Sequence, residues 1–187
     1  MAVLKIARLG NPLLRETARP VDLEQLTAEG ENELQSFIDD LIDTMRAEGG
    51  VGIAAPQVSR SLQILAMEYQ ANERYPGQLE IPLTVLINPV ITRYGSGSVA
   101  FWEGCLSVPD LRGRVVRPDS VEVEAFDREG NPLKIKAQGF QAVVLQHEID
   151  HLRGKVFLDR MTDFSQLAYP EEFETYWAPA EAEPVEI

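Results

Sequence analysis

The sequence predicts one α+β domain with strands on both sides of a buried helix. Three observations predict it. Residues 138–153 (QGFQAVVLQHEIDHLR) form a mostly apolar helical segment, residues 120–137 alternate as a hairpin does, and the runs at 62–67 and 83–92 read as strands. A length of 187 residues suits a single compact domain. With 44% hydrophobic and 25% charged residues the composition is ordinary for a globular chain, which excludes wholesale disorder.

Taken in order, the N-terminus (MAVLKIARLGNPLLRETARPV) has no long apolar run ahead of a small-residue cleavage site, so a secretory signal is not expected. Residues 25–48 carry a helical stripe: Leu34, Phe37, Ile38, Leu41, Ile42 and Met45 fall three and four apart, with acids on the other face. Gly49-Gly50 ends that helix. LQILAM at 62–67 and LTVLINPVIT at 83–92 are strands; the polar stretch 70–80 between them, with Pro76-Gly77, is a surface loop. In 120–137, Val121, Val123 and Ala125 alternate with polar neighbours, DREGNP turns the chain, and Leu133, Ile135 and Ala137 alternate with lysines. Gly154 ends the helix that follows. From about Ala178 the chain is expected to fray, with prolines among Ala and Glu.

The net charge of −13 disfavours binding to a phosphate backbone or an anionic membrane, so neither DNA nor a membrane is an expected partner. No stretch approaches 18 uncharged apolar residues, the least a membrane span needs, and a reducing cytoplasm is the expected setting. The acids concentrate in 22–48 and 161–187, whereas 93–160 is balanced. A single cysteine, Cys105, rules out an internal disulfide; with only two histidines, His147 and His151, a zinc finger or Fe–S cluster is ruled out as well.

His147-Glu148-Ile149-Asp150-His151 is an HExxH pattern. Four residues advance a helix by roughly one turn, so both imidazoles leave one face and can share a metal ion. Glu148 projects beside the remaining coordination position, where it can take a proton from water and pass it on. The third ligand cannot be a histidine. Glu171, Glu172 or Glu174 would give a metalloprotease; the other option is Cys105, within Glu103-Gly104-Cys105-Leu106-Ser107 after a strand. A cysteine hydrolase pairing Cys105 with a histidine is a further reading.

Three motifs in order resemble the peptide deformylase family: GVGIAAPQ at 50–57, EGCLS at 103–107 and QHEIDH at 146–151, within a similarity running from about Leu9 to Met161. The resemblance implies a catalytic domain at 1–169, built of mostly antiparallel strands around a central helix carrying HExxH. Residues 170–187 are then an acidic, Pro-containing tail. It implies a metal-dependent hydrolase that removes the N-formyl group from the N-terminal methionine of new proteins, releasing formate. Cys105, His147 and His151 would hold one divalent ion, Fe(II) by resemblance, with Zn, Ni or Co able to take its place. Glu148 would be general base and then general acid; the Gln57 side chain and the Leu106 backbone N–H would face the oxyanion. Gly50, Gly52 and Gly104 would border the peptide, Val51, Val143 and Val144 would line the methionine pocket, and Glu103 and Arg112 would pair beside it. Asp150 could orient a histidine or pair with an arginine; Arg114 and Arg117 carry no assignment. The implied partners are N-formylmethionyl nascent peptides and, transiently, the ribosome. Many bacterial members dock there through a basic C-terminal helix, whereas this C-terminus is acidic. A metal-free, catalytically dead relative acting as a binding module is the rival outside enzymology.

Overall fold

The alternation of apolar side chains, the caps and the glycine stops produce two antiparallel sheets with helices between and outside them. The structure is a computed structural model and describes residues 2–30, 32–70 and 78–178. The predicted loop at 70–80 lies mainly outside the described residues, as does the frayed tail beyond 178. In chain order the elements are α1 (Leu23–Leu26), α2 (Glu33–Ala47), β1 (Gly52–Ala54), β2 (Ile64–Tyr69), β3 (Ile81–Tyr94), β4 (Ser98–Cys105) and β5 (Val108–Pro118). They continue with β6 (Ser120–Phe126), β7 (Pro132–Gln138), α3 (Gly139–Leu152), β8 (Leu167–Ala168) and α4 (Pro170–Tyr176). One sheet has the order β1-β2-β3-β6-β7 and the other β4-β5-β8, and every pairing is antiparallel.

At β2 the five-stranded sheet is buried on both faces, which is why that strand reads as an unbroken apolar run. Leu65 and Met67 join Val121, Val123, Val144, Leu145 and Ile149 on the face that takes α3. Ile64 and Ala66 join Ile38, Leu41, Met45 and Ile87 on the face that takes α2. The β6–β7 hairpin has the predicted alternation: Val121, Val123 and Ala125 are buried, and Lys134 and Lys136 are exposed. Helix α3 is apolar nearly all round because it is buried on every side, and it packs on β1, β2, β5 and β7. Gly154, at φ 70°, lets the chain leave it in the left-handed region. No helix among the described residues is long and apolar enough to cross a membrane.

Three elements differ from expectation. The helix expected over 25–48 is divided at Asn32. The Asn32 carboxamide accepts from the N–H groups of Leu34 (3.0 Å) and Gln35 (3.3 Å) and donates to the carbonyls of Gln25, Leu26 and Ala28. It therefore caps α2 and closes α1 at once. Strand β5 was not expected, because its arginines obscure the alternation; Val108, Gly113, Val115 and Arg117 are buried in it. Finally, the segment assigned to the tail begins with helix α4, which packs against β4 and β5. Phe173 is buried against Trp102 (centroids 5.0 Å apart), and the Arg112 guanidinium lies 5.0 Å over the Phe173 ring. Pro170 at the first turn starts the helix rather than breaking it.

Candidate metal centre and active site

Strand β4 delivers Cys105 as its last residue. The β4–β5 register slips between Gly104 and Cys105, so Cys105 sits opposite Val108 across a tight turn and its thiol faces α3. Helix α3 presents His147 and His151 one turn apart, with ring centroids 5.1 Å from each other. Cys105 Sγ and one ring nitrogen of each histidine lie within 4.8 Å of one another. Cys105 Sγ is 3.2 Å from His151 Nε2, and the Ser107 N–H points to the same sulfur at 3.4 Å. Burial pushes the Cys105 thiol up, but His151 and His147 beside it overcome that and hold it well below the usual thiol range.

These donors fit a divalent metal ion. Metal–sulfur and metal–nitrogen bonds of about 2.0–2.3 Å put tetrahedral ligands roughly 3.5 Å apart. The observed spacing needs little adjustment to reach that. His147 Nδ1 lies 2.7 Å from Glu103 Oε2, which leaves Nε2 for the ion. His151 Nδ1 is buried without a hydrogen-bond partner among the described residues. Glu171, Glu172 and Glu174 lie on α4, outside this cluster.

Glu148 is 4% exposed and its Oε2 has no hydrogen-bond partner among the described residues. Burial pushes its carboxyl up to about 7, against the pull of His147 and His151. Gly52 makes room for it: a Cβ there would stand 2.5 Å from Glu148 Oε1. Gln57 sits in a 3-10 turn at Ala55–Val58. Its Oε1 accepts from the Ala54 N–H at 2.8 Å, which turns Nε2 toward the site, 3.6 Å from Cys105 Sγ.

A cleft of about 590 Å³, part of it open to solvent, lies beside these groups. It is lined by Gly50, Val51, Gly52 and Gln57 on one wall, Glu103 to Leu106 on the other, and Val143, Val144, His147 and Glu148 at its base. Phe101, Trp102 and Phe140 also line it and were not among the expected residues. Phe140 precedes Val143 by one helical step, and the aromatic pair precedes EGC on its strand; both are signals the sequence offers.

Arg112 is the expectation the structure overturns. It lines an adjoining groove, and the base that pairs with Glu103 is Arg117. The pleat of β5 decides this. Arg117 shares the inward face with Gly113 and Val115, while Arg112 sits one step out of phase. Asp150 pairs with arginines, Arg117 and Arg160, and not with a histidine.

The chain as a whole is similar to known proteins. Residues 3–166 match the family model described as polypeptide deformylase. Peptide deformylase 2 of Pseudomonas syringae pv. tomato is 43% identical over 167 residues, covering 89% of this chain and 92% of that protein. Peptide deformylase 1 of Prochlorococcus marinus is 43% identical over 177 residues, covering 94% and 89%. The Met-Ala-Ser-bound crystal structure of a class I type b peptide deformylase from Acinetobacter baumannii superposes with a TM-score of 0.81 at 39% identity, covering 86% of this chain and 99% of that one.

Proposed function

The chain belongs to the peptide deformylase family, and from that premise we propose how its own residues perform the reaction. The enzyme is a metal-dependent hydrolase that removes the N-formyl group from nascent peptides. Cys105 Sγ, His147 Nε2 and His151 Nε2 hold one ion. The thiolate with two imidazoles suits Fe(II), our first choice, and also Zn, Ni or Co. When bound, the ion supplies Lewis-acid polarisation.

The formyl-methionine end enters the cleft with its backbone between Gly50–Gly52 and Gly104, as an added strand would run. The methionine side chain lies on Val143, Val144 and Phe140. Water attacks the formyl carbon while Glu148 takes its proton, and a carboxyl that burial pushes up can both accept and return one. The Gln57 Nε2–H and the Leu106 N–H donate to the oxygen as it becomes an oxyanion. Glu148 then gives its proton to the leaving amine, and formate and the free N-terminus separate. Glu103 holds His147. Arg112 borders the groove that continues from Gly104–Leu106 and meets residues beyond the methionine.

The catalytic domain runs through α4, beyond the boundary at 169. We place the enzyme in a reducing cytoplasm, where Cys105 stays able to ligate. α4 carries Glu171, Glu172 and Glu174, so this helix is not a basic docking surface for the ribosome. The observation that carries the reading is the convergence of Cys105, His147 and His151 beside buried Glu148 at the cleft. Formate release from a formyl-Met peptide tests it: Glu148→Ala should abolish turnover with metal retained, and undiminished turnover would overturn it.

A further inference from the structure

Behind His147 a buried ionic chain runs through Glu103, Arg117 and Asp150 to Arg160. His147 Nδ1 is 2.7 Å from Glu103 Oε2. A carboxylate paired with an arginine can only accept, so Nδ1 carries the proton and Nε2 is the free ligand atom. Arg117 takes Glu103 as a fork: Nε donates to Oε1 at 2.5 Å and an NH2 donates to Oε2 at 3.0 Å. The other arm of Arg117 donates to Asp150 Oδ2 at 2.9 Å. Arg160, partly exposed, closes the chain on Asp150, with its Nε 2.9 Å from Oδ2. The two acids and two arginines balance, so this set adds no net charge beside the metal ligands.

Glu103, Arg117 and Asp150 are each no more than 4% exposed. Burying such a set costs desolvation that an apolar trio of the same volume would avoid, so stability alone does not account for it. What the ionic set supplies and an apolar one cannot is a fixed acceptor aimed at His147 Nδ1. The fork fixes the plane of the Glu103 carboxylate, because two parallel N–H donors define it and a single ammonium would not. His151 has no such brace among the described residues.

We infer that Arg117 is a positioning residue for metal binding: through Glu103 it fixes the ring orientation of His147, with Asp150 and Arg160 holding Arg117 in place. This rests on the reading of His147 as a ligand. Partners that orient a ligand histidine are typically worth about 10- to 100-fold in metal affinity.

The test uses the full chain loaded with Co(II) or Zn(II). Arg117→Met should weaken metal affinity about 10- to 100-fold, measured by competition with a chromogenic chelator. It should also change the ligand-field absorption of the Co(II) form and leave KM for a formyl-Met peptide within about twofold. Arg117→Lys keeps the charge and loses the fork; it should recover part of the affinity, and it decides the matter if the Met variant does not fold. Arg112→Met should keep the parent's metal affinity. An Arg117→Lys protein with the parent's affinity and spectrum, melting at a lower temperature only, would overturn the inference. Undiminished metal binding by His147→Ala would instead overturn the ligand assignment beneath it.

Discussion

Gly52→Ala should disable the enzyme without unfolding it. Gly52 lies in β1 opposite Met67, and its φ is outside the left-handed region, so the backbone itself accepts alanine. The added methyl would stand 2.5 Å from Glu148 Oε1 and 2.8 Å from both Cδ and Cγ. Carbon contacts are comfortable near 3.5 Å, so Glu148 or β1 must retreat by about 1 Å. Glu148 can yield only toward the cleft it lines, which takes its carboxylate out of its present place. Glu148 is 4% exposed, and β1 is clamped between β2 and α3. A displacement of about 1 Å in a reacting group costs on the order of 100-fold in rate, roughly 2.7 kcal/mol of barrier. The expected result in a formate-release assay is kcat down about 100-fold with metal content unchanged, since Cys105, His147 and His151 are untouched. Replacing a glycine in a strand favours folding by roughly 0.5–1 kcal/mol, so the melting temperature should fall little if at all. A variant with kcat within threefold of the parent would show that Glu148 is not held by shape against Gly52.

The other predictions concern separate parts of the site and frame. Gln57→Ala should lower kcat by about 10²- to 10³-fold if its Nε2–H meets the oxyanion, and a tenfold change or less in steady-state kinetics would contradict that role. It should also lower the melting temperature, because the Ala54 N–H loses its acceptor. In the pH profile of kcat/KM, Glu148 must be ionised to act as base, so activity falls as pH drops through its pKa. Burial pushes that value up to about 7 without metal, and a bound cation favours the carboxylate, so the acid limb of the loaded enzyme belongs below pH 7. An acid limb centred well above 7 would assign the base elsewhere. Asn32→Ala removes the cap of α2 and the closure of α1 and should cost about 1–2 kcal/mol in denaturant unfolding, with kcat unchanged because the position is remote from the cleft.

How far the sequence discloses such a site depends on whether a residue's role is local or set by another strand. The helix bearing His147, Glu148 and His151 is legible because its period and its terminal glycine are both within one segment. The same is true of the β6–β7 hairpin, with its alternation and DREGNP turn. The split between α1 and α2 is locally encoded too, in Asn32 with Gln35 three residues on, but the apolar stripe masks it. The choice among Arg112, Arg114 and Arg117 is different. All three look like surface charges, and which one turns inward depends on the pleat of β5 against β4, where Gly113 stands opposite Glu103. Reading Val115 as a buried strand position would select Arg117, since side chains two apart share a face. α4 is obscured for a similar reason. Its acids and proline suggest a solvated tail, and only the Trp102 ring, brought to it by β4, gives Phe173 a place to be buried. The candidate metal ligands are legible from scarcity, with one cysteine and two histidines in the chain, whereas the charged residues packed behind them are common types. Common charged residues acquire a specific task only when a fold buries them together. A buried Arg–Glu fork behind a ligand histidine is therefore something the strand register supplies and the motif alone does not.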